Sequence, residues 1–226
     1  MAFKVAEHHI ARRGELLPPV DESLMLDYVL GRGGLFARGR RPGLEVCMPV
    51  AAPLAPVRGL APVVTYAQWG FPKVPAGFLA LMLAISRHVA RAEPREALFH
   101  LSFDAADPHE PLTAGHILCD RGWHLEYPDQ RREKGRVELV NKGRGTSEER
   151  AIIEVHSHHH DKAYFSPEDD EDEGGMSFRV YGVLGTIFSR PALRTRIGLF
   201  GHFFLYPAAE FFELPAEITD LQGGQF

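Results

Sequence analysis

The chain has 226 residues, of which 45% are apolar and 24% are charged, and this composition argues against a disordered protein. Its formal net charge of -5 gives no general attraction for phosphate backbones, so we do not expect a nucleic-acid partner. The two cysteines, Cys47 and Cys119, indicate neither a disulfide framework nor a thiolate zinc cluster. Because no apolar run approaches the roughly 20 residues that span a bilayer, we expect a cytoplasmic protein without a membrane segment.

The first third of the chain predicts a small β-rich unit. Apolar segments at residues 24–30 and 35–38 flank a glycine-rich turn, which indicates a β-hairpin, and residues 44–50 predict a third strand. The prolines that follow favour an extended connection. We therefore expect two domains, residues 1–70 and residues 71–226.

The second part of the chain predicts a helix followed by strands. Between Pro75 and Pro94, apolar side chains recur at helical spacing and should face the core. These side chains are Phe78, Met82, Ile85 and Val89. Residues 96–103 alternate in polarity, as in a strand that begins at Glu96. Further strands are predicted at residues 113–119, 123–127, 137–140, 180–189 and 195–206. The order of elements indicates an α/β (α+β) fold, with a mixed sheet flanked by helices.

Two histidines follow a short apolar strand predicted at residues 151–155. His156 and His158 are two positions apart, so extended backbone aims both imidazoles at one side, as two ligands of a single metal require. Ser166, followed by proline, is typical of a helix start that would hold Asp169 at a fixed place. Two imidazoles and one carboxylate leave the fourth tetrahedral position of Zn²⁺ to water, as in catalytic zinc sites. We therefore expect one zinc ion per chain.

Other interpretations compete with this one. Residues 156–161 also fit a solvated polar loop, and residues 166–169 fit a capped helix beside an acidic run. The order His-X-His-His-His-Asp superficially resembles metallo-β-lactamase-like hydrolases, although its last two positions are reversed. The pair His160-Asp161 resembles the HD-type phosphohydrolases. Neither hydrolase interpretation uses the serine and the aspartate further along the chain.

The full spacing of His-X-His, seven residues, Ser, two residues and Asp resembles the signature of the JAMM zinc metalloproteases, also called the MPN or Mov34/PAD-1 family. The resemblance extends over residues 75–190 and implies a JAB/MPN-like fold, with zinc held by the two histidines and Asp169. Many members have Gly-Trp-Tyr before the first histidine and proline after the second. This chain has Glu154-Val155 and His159 there, which puts the substrate contacts in doubt.

A zinc hydrolase also needs a base that takes a proton from water and returns it to the leaving amine. In the family this glutamate follows the first helix in a Pro-X-Glu context, which Pro94-Arg95-Glu96 matches, and we assign the role to Glu96. Glu154 is the rival candidate, or else a residue that orients the ligating imidazoles. The resemblance also implies that the Ser166 hydroxyl stabilises the oxyanion of the intermediate in addition to capping its helix.

The whole chain also resembles the PRTRC system protein A group, through residues 27–28, 57–62 and 96–101. That bacterial group is found beside ThiF-related (E1-like) enzymes and ubiquitin-like proteins. The resemblance implies a peptidase or isopeptidase that acts on the C-terminal tail or the conjugates of a ubiquitin-like protein. The alternative is a non-catalytic MPN-fold module that binds partners.

The N-terminal hairpin is rich in arginine, whereas acids follow the zinc loop at residues 168–173. The arginines are Arg32, Arg38, Arg40 and Arg41. From these opposite charges we expect the N-terminal unit to pack near the active-site cleft and to influence which substrate tail enters, without taking part in catalysis. The alternative is that the arginines are simply solvated.

Overall fold

The computed structural model of the protein describes residues 4–93, 95–106, 115–133, 136–140, 145–175 and 177–221. Pro94 and Thr113, which enter the predictions above, lie outside these residues. The chain divides into two compact units. The first contains Met1–Phe71, Asp170–Phe178 and Gly198–Phe204, and the second contains Pro72–Asp169, Arg179–Ile197 and Leu205–Phe226. Within the described residues, no helix combines the length and the apolar character needed to cross a bilayer.

Strands dominate the described part of the chain. In chain order they are β1 Lys4–Ile10, β2 Leu24–Gly31, β3 Gly34–Arg41, β4 Leu44–Ala51, β5 Tyr66–Trp69, β6 Leu98–Phe103, β7 His116–Asp120, β8 Trp123–Glu126, β9 Gln130–Glu133, β10 Arg136–Leu139, β11 Ile153–Ser157, β12 Phe178–Gly185, β13 Ala192–Leu199, β14 His202–Tyr206 and β15 Thr219–Asp220. The α-helices are α1 Ala76–Ala92, α2 Ser147–Arg150 and α3 Pro167–Glu173, and a short 3-10 helix covers Ala208–Glu210. This mixed content, with a β-rich N-terminal part, confirms the predicted fold class.

The N-terminal strands form one sheet in the order β1-β2-β3-β4-β5. The predicted hairpin is confirmed, because β2 and β3 pair antiparallel with Leu30 opposite Leu35. Gly34 has a φ of 123°, and a Cβ at this position would collide with the carbonyl of Ala51, so the turn requires glycine here. Strand β1 pairs parallel to β2, and neither it nor β5 was predicted.

A buried ion pair joins the two strands of this hairpin. Arg38 donates from Nε to Asp27 Oδ1 at 2.8 Å and from Nη2 to Asp27 Oδ2 at 2.7 Å, and both residues are buried. Its Nη1 also donates to the Pro18 carbonyl. The expectation that Arg38 offers its charge to another surface is therefore wrong, since Asp27 already neutralises it inside the sheet. Arg40, in contrast, is half exposed beside Glu22.

Replacing one partner of this pair should destabilise the protein strongly. In Asp27→Ala the Arg38 charge stays buried without its partner, which should lower the free energy of unfolding by about 3–5 kcal/mol in urea denaturation. The matched control is Glu22→Ala, which removes an exposed partner of Arg40 and should cost about 1 kcal/mol or less. If the free energy of unfolding fell by the same amount in both variants, the buried pair would contribute no more to stability than the exposed one.

The second sheet has the order β14-β13-β12-β11-β6-β8-β7, with β15 paired to β13. Strand β11 lies between β6, to which it is antiparallel, and β12, to which it is parallel. Its Ile153 and Val155 are fully buried. Strand β11 is therefore hydrogen-bonded on both sides. This pairing fixes the direction in which its polar side chains point.

Helix α1 forms where it was predicted, but its buried stripe differs in part. Phe78 and Met82 are fully buried, as expected, whereas Ile85 and Val89 are only half-buried. The other buried positions are Leu79, Leu83 and Ser86. The helix is apolar over a wide arc, so spacing alone did not identify which edge of that arc faces inward.

Turns also shift several predicted strand limits. The strand predicted at residues 180–189 ends at Gly185, because Thr186 has a φ of 48° and begins a turn. The segment predicted as one strand at residues 195–206 is two strands, separated where Phe200 and Gly201 adopt φ values of 47° and 85°. Strand β9 was not predicted because its residues are mostly charged.

Candidate metal and catalytic site

Strand β11 carries the first histidine within its ladder. His156 lies opposite Leu98 of β6 and Val183 of β12, so the strand both begins and ends two residues later than the predicted 151–155. His158 continues the extended course, because its N–H donates to the Leu184 carbonyl at 2.7 Å. Both imidazoles are buried and point to the same side, as the two-residue spacing predicts.

The structure brings together the three predicted metal ligands. His156 Nε2 lies 3.3 Å from His158 Nε2 and 3.3 Å from Asp169 Oδ1, and the three ligand atoms all lie within 4.8 Å of one another. Zinc bonds of about 2.0–2.1 Å to nitrogen and oxygen place two tetrahedral ligands about 3.3–3.4 Å apart. The side chains therefore fit zinc, with a fourth tetrahedral position to which none of the described residues adds a ligand.

The two oxygens of Asp169 have separate roles. Its N–H donates to Ser166 Oγ at 3.1 Å, while the Ser166 N–H and hydroxyl donate to Asp169 Oδ2 at 2.6 and 2.8 Å. This reciprocal cap begins α3 and confirms the predicted N-cap. Because Oδ2 is held by two donors, Oδ1 is left to face His156.

The ring of His158 is oriented by the loop that follows it. Its Nδ1 lies 3.2 Å from the Lys162 carbonyl, which can only accept, so Nδ1 carries the proton and Nε2 has a free lone pair. The loop is fixed in turn by hydrogen bonds to the end of β12, from Thr186 N–H to the Asp161 carbonyl and from Ile187 N–H to the His159 carbonyl. Burial also lowers the pKa of His156 despite the nearby Asp169, so its ring is neutral, as a metal ligand must be.

Glu96 lies beside the ligand set, two residues before β6. Its Oε1 is 3.9 Å from His158 Nε2. Burial, reinforced by the negative charges of Asp169 and Asp161, raises the pKa of Glu96 to about 7. The segment is fixed to β11, because the Ala97 N–H donates to Ser157 Oγ at 3.1 Å and the Ser157 N–H donates to the Ala97 carbonyl at 2.9 Å.

Glu154 shares a strand face with His156 but has other partners. Its Oε2 lies 3.2 Å from His100 Nε2 and accepts a hydrogen bond from Arg179 Nη1 at 3.0 Å. Burial alone would raise the pKa of Glu154, but His100 and Arg179 together lower it to about 2. A carboxylate held in this way is a weak proton acceptor at neutral pH.

The structure also assembles a second group that the sequence did not suggest. His116 and Cys119 of β7 and His124 of β8 offer ligand atoms that all lie within 4.8 Å of one another. The sequence predicted strands at residues 113–119 and 123–127 but not the register that places Cys119 opposite His124. The position of His116 depends on an irregularity in the register of β7, which the sequence does not reveal.

A mixed α+β fold with two buried histidines and a part-buried aspartate at one place is the architecture expected of a JAB-type metal domain, and comparison with known families agrees. The model of the family described as prokaryotic homologs of the JAB domain matches residues 79–196, which is more than half of the chain. The chain belongs to this family, and the resemblance to JAMM/MPN proteins is thereby confirmed. None of the curated proteins compared with the chain matches it.

Removing one ligand should remove one equivalent of zinc. The Asp169→Ala variant keeps only the two histidine nitrogens as ligands. Zinc sites with an exchangeable fourth position have three protein ligands. Elemental analysis after equilibration with zinc and desalting should show one equivalent less than in the wild-type protein. The control is His160→Ala, which replaces an exposed histidine outside the set and should change nothing. Equal zinc content in Asp169→Ala and the wild type would refute the assignment.

Proposed function

We propose that the protein is a zinc-dependent peptidase or isopeptidase that acts on the C-terminal tail or the conjugates of a ubiquitin-like protein. The observation that carries the proposal is the buried Glu96 carboxylate, 3.9 Å from a ligand atom of a set that supplies three of four tetrahedral positions. Membership of the JAB family, which includes metalloisopeptidases, supports it. A module that only binds partners has no chemical need for an exchangeable metal position.

Zinc, when bound, would supply a Lewis acid that polarises the scissile carbonyl and acidifies a water molecule. Glu96 Oε1 lies 3.9 Å from His158 Nε2, close enough for one water molecule at the metal to give it a proton. The same carboxyl group can then give this proton to the leaving amine. Glu154 is less suited to this role, since its carboxylate is engaged by His100 and Arg179.

We infer that Ser166 assists through its hydroxyl group. The hydroxyl donates to Asp169 Oδ2, which also accepts the Ser166 N–H at 2.6 Å. The hydroxyl can therefore turn toward a substrate oxyanion while Asp169 keeps one of its two donors. In this role Ser166 would stabilise charge that develops only during the reaction.

The proposed substrate class depends on the resemblance to the PRTRC system protein A group. Proteins of that group are found beside ThiF-related enzymes and ubiquitin-like proteins. A ThiF-related (E1-like) enzyme would attach the ubiquitin-like protein, and the present protein would process its tail or release it from conjugates. The probe for this proposal is a ubiquitin-like protein encoded near the gene of this protein. It is either extended beyond its C-terminal tail or linked through that tail to a lysine side chain.

Glu96→Gln should abolish most turnover while zinc content is unchanged. The amide keeps the shape of the side chain but cannot accept a proton, and loss of general acid–base catalysis costs about 10²- to 10⁴-fold in rate. Cleavage of the probe, followed by mass spectrometry together with zinc analysis, measures both quantities. The matched control is Glu154→Gln, which should keep more activity than Glu96→Gln.

The opposite order of the two variants would move the base from Glu96 to Glu154. Binding of the probe by zinc-loaded wild-type protein without any cleavage would instead favour a non-catalytic JAB module.

Ser166→Ala and Ser166→Thr should separate the two roles of this residue. Alanine removes the hydroxyl, and loss of one oxyanion donor should lower kcat by about 10²- to 10³-fold, together with about 1 kcal/mol of stability from the lost cap. Threonine keeps the hydroxyl and should retain most activity. If kcat in Ser166→Ala falls only in proportion to zinc loss, the residue acts through the cap alone.

A further inference from the structure

The β7–β8 hairpin brings nitrogen and sulfur ligands together away from the first metal set. His116 Nε2 lies 3.2 Å from His124 Nδ1, and Cys119 offers its sulfur within 4.8 Å of the other ligand atoms. Two ring nitrogens that face each other at this distance can be joined by one shared proton or by one metal ion. The separation is close to the tetrahedral spacing of about 3.3 Å for two imidazoles on zinc.

An irregularity in β7 creates this grouping. In regular pairing His116 and Cys119, three positions apart, would point to opposite faces of the sheet. The register shifts between His116 and Leu118, so that His116 lies opposite Glu126 while Cys119 lies opposite His124. Since residues 124 and 126 share a face, the shift brings the cysteine and both histidines onto that face. A bulge that redirects one side chain in this way is typical of functional sites.

Buried polar atoms in the group lack partners within the described part of the protein. His124 is fully buried, and its Nε2 has no hydrogen bond there. Ser102, its cross-strand neighbour on β6, is also buried with an unbonded hydroxyl. Unsatisfied buried groups cost stability, and in native structures a bound ion or an ordered water commonly accounts for polar groups of this kind.

We propose that His116, Cys119 and His124 form a second metal site of the zinc class, which joins the two strands of the hairpin. Imidazole and thiolate are ligands that zinc prefers, whereas magnesium and calcium prefer oxygen. Glu126 shares the face, but its carboxylate is bonded to Arg150. The site shares no residue with the His156 set.

A structural role follows from the position of the hairpin. Among the described residues, β7 is the last strand of the second sheet and pairs only with β8, so a metal that links the two strands would hold this edge in register. No free carboxylate among the described residues of the group is placed to serve as a base, because Glu126 is engaged by Arg150. The metal here would stabilise the fold through the three ligands that the described residues supply, and a fourth ligand would have to close the site, as in structural zinc centres.

Cobalt substitution tests the second site directly and independently of catalysis. The full-length protein is stripped of metal with a chelator and titrated with Co²⁺, which gives a near-ultraviolet charge-transfer band only when a thiolate is bound. The wild type should take up two equivalents and show the band. Asp169→Ala should take up one equivalent and keep the band, whereas Cys119→Ser should take up one equivalent and lose it. His116→Gln should weaken cobalt binding in the same way.

The second cysteine provides the matched control. Cys47 is buried in the N-terminal sheet, where burial raises the pKa of its thiol to about 11, and Cys47→Ala should keep the band. Binding of Zn²⁺ should also slow the alkylation of Cys119 in the Asp169→Ala variant. A wild-type spectrum without a thiolate band, or equal metal content in Asp169→Ala with and without Cys119→Ser, would overturn the proposal and leave the His156 set unaffected.

Discussion

Two hydrogen bonds between Ser157 and Ala97 connect the parts of the candidate active site. They run from Ala97 N–H to Ser157 Oγ and from Ser157 N–H to the Ala97 carbonyl, and they bridge residues that are 60 positions apart in the chain. Ser157 stands between the two ligating histidines, and Ala97 follows Glu96. Because the bonds fix both segments at one place, the base candidate and the two ligating histidines are brought together by the pairing of strands.

Two of the ligand side chains, Asp169 and His158, are also hydrogen-bonded through the atom that does not face the metal position. Asp169 gives Oδ2 to the helix cap, and His158 gives Nδ1 to a backbone carbonyl. In each case the second atom is left for zinc, and its direction is set before any metal binds. Partners of this kind commonly decide metal affinity as much as the ligands do. The cap of a short helix is therefore also part of the metal site.

Most of the site could be predicted from residues that are close together in the sequence. The parts that depend on contacts between distant segments could not. The spacing of His156 and His158 and the cap at Ser166 depend on neighbouring residues, so the sequence contained them. Strand β1 was missed because Glu7, His8 and His9 interrupt any apolar run in it, although it pairs with the next strand of the chain. The partners of Glu154 were missed because His100 and Arg179 come from two other strands. A bulge likewise has no clear sequence signal, so the group around His124 emerged only from the structure.

Anomalous diffraction at the zinc absorption edge, from crystals of protein purified without chelator, tests the central claim most directly. The account predicts an anomalous peak about 2.0–2.2 Å from His156 Nε2, His158 Nε2 and an oxygen of Asp169, with the Glu96 carboxylate next to the fourth position. Density for a water or hydroxide in that position would complete the expected arrangement. A zinc-loaded crystal without a peak between these three side chains would contradict the account.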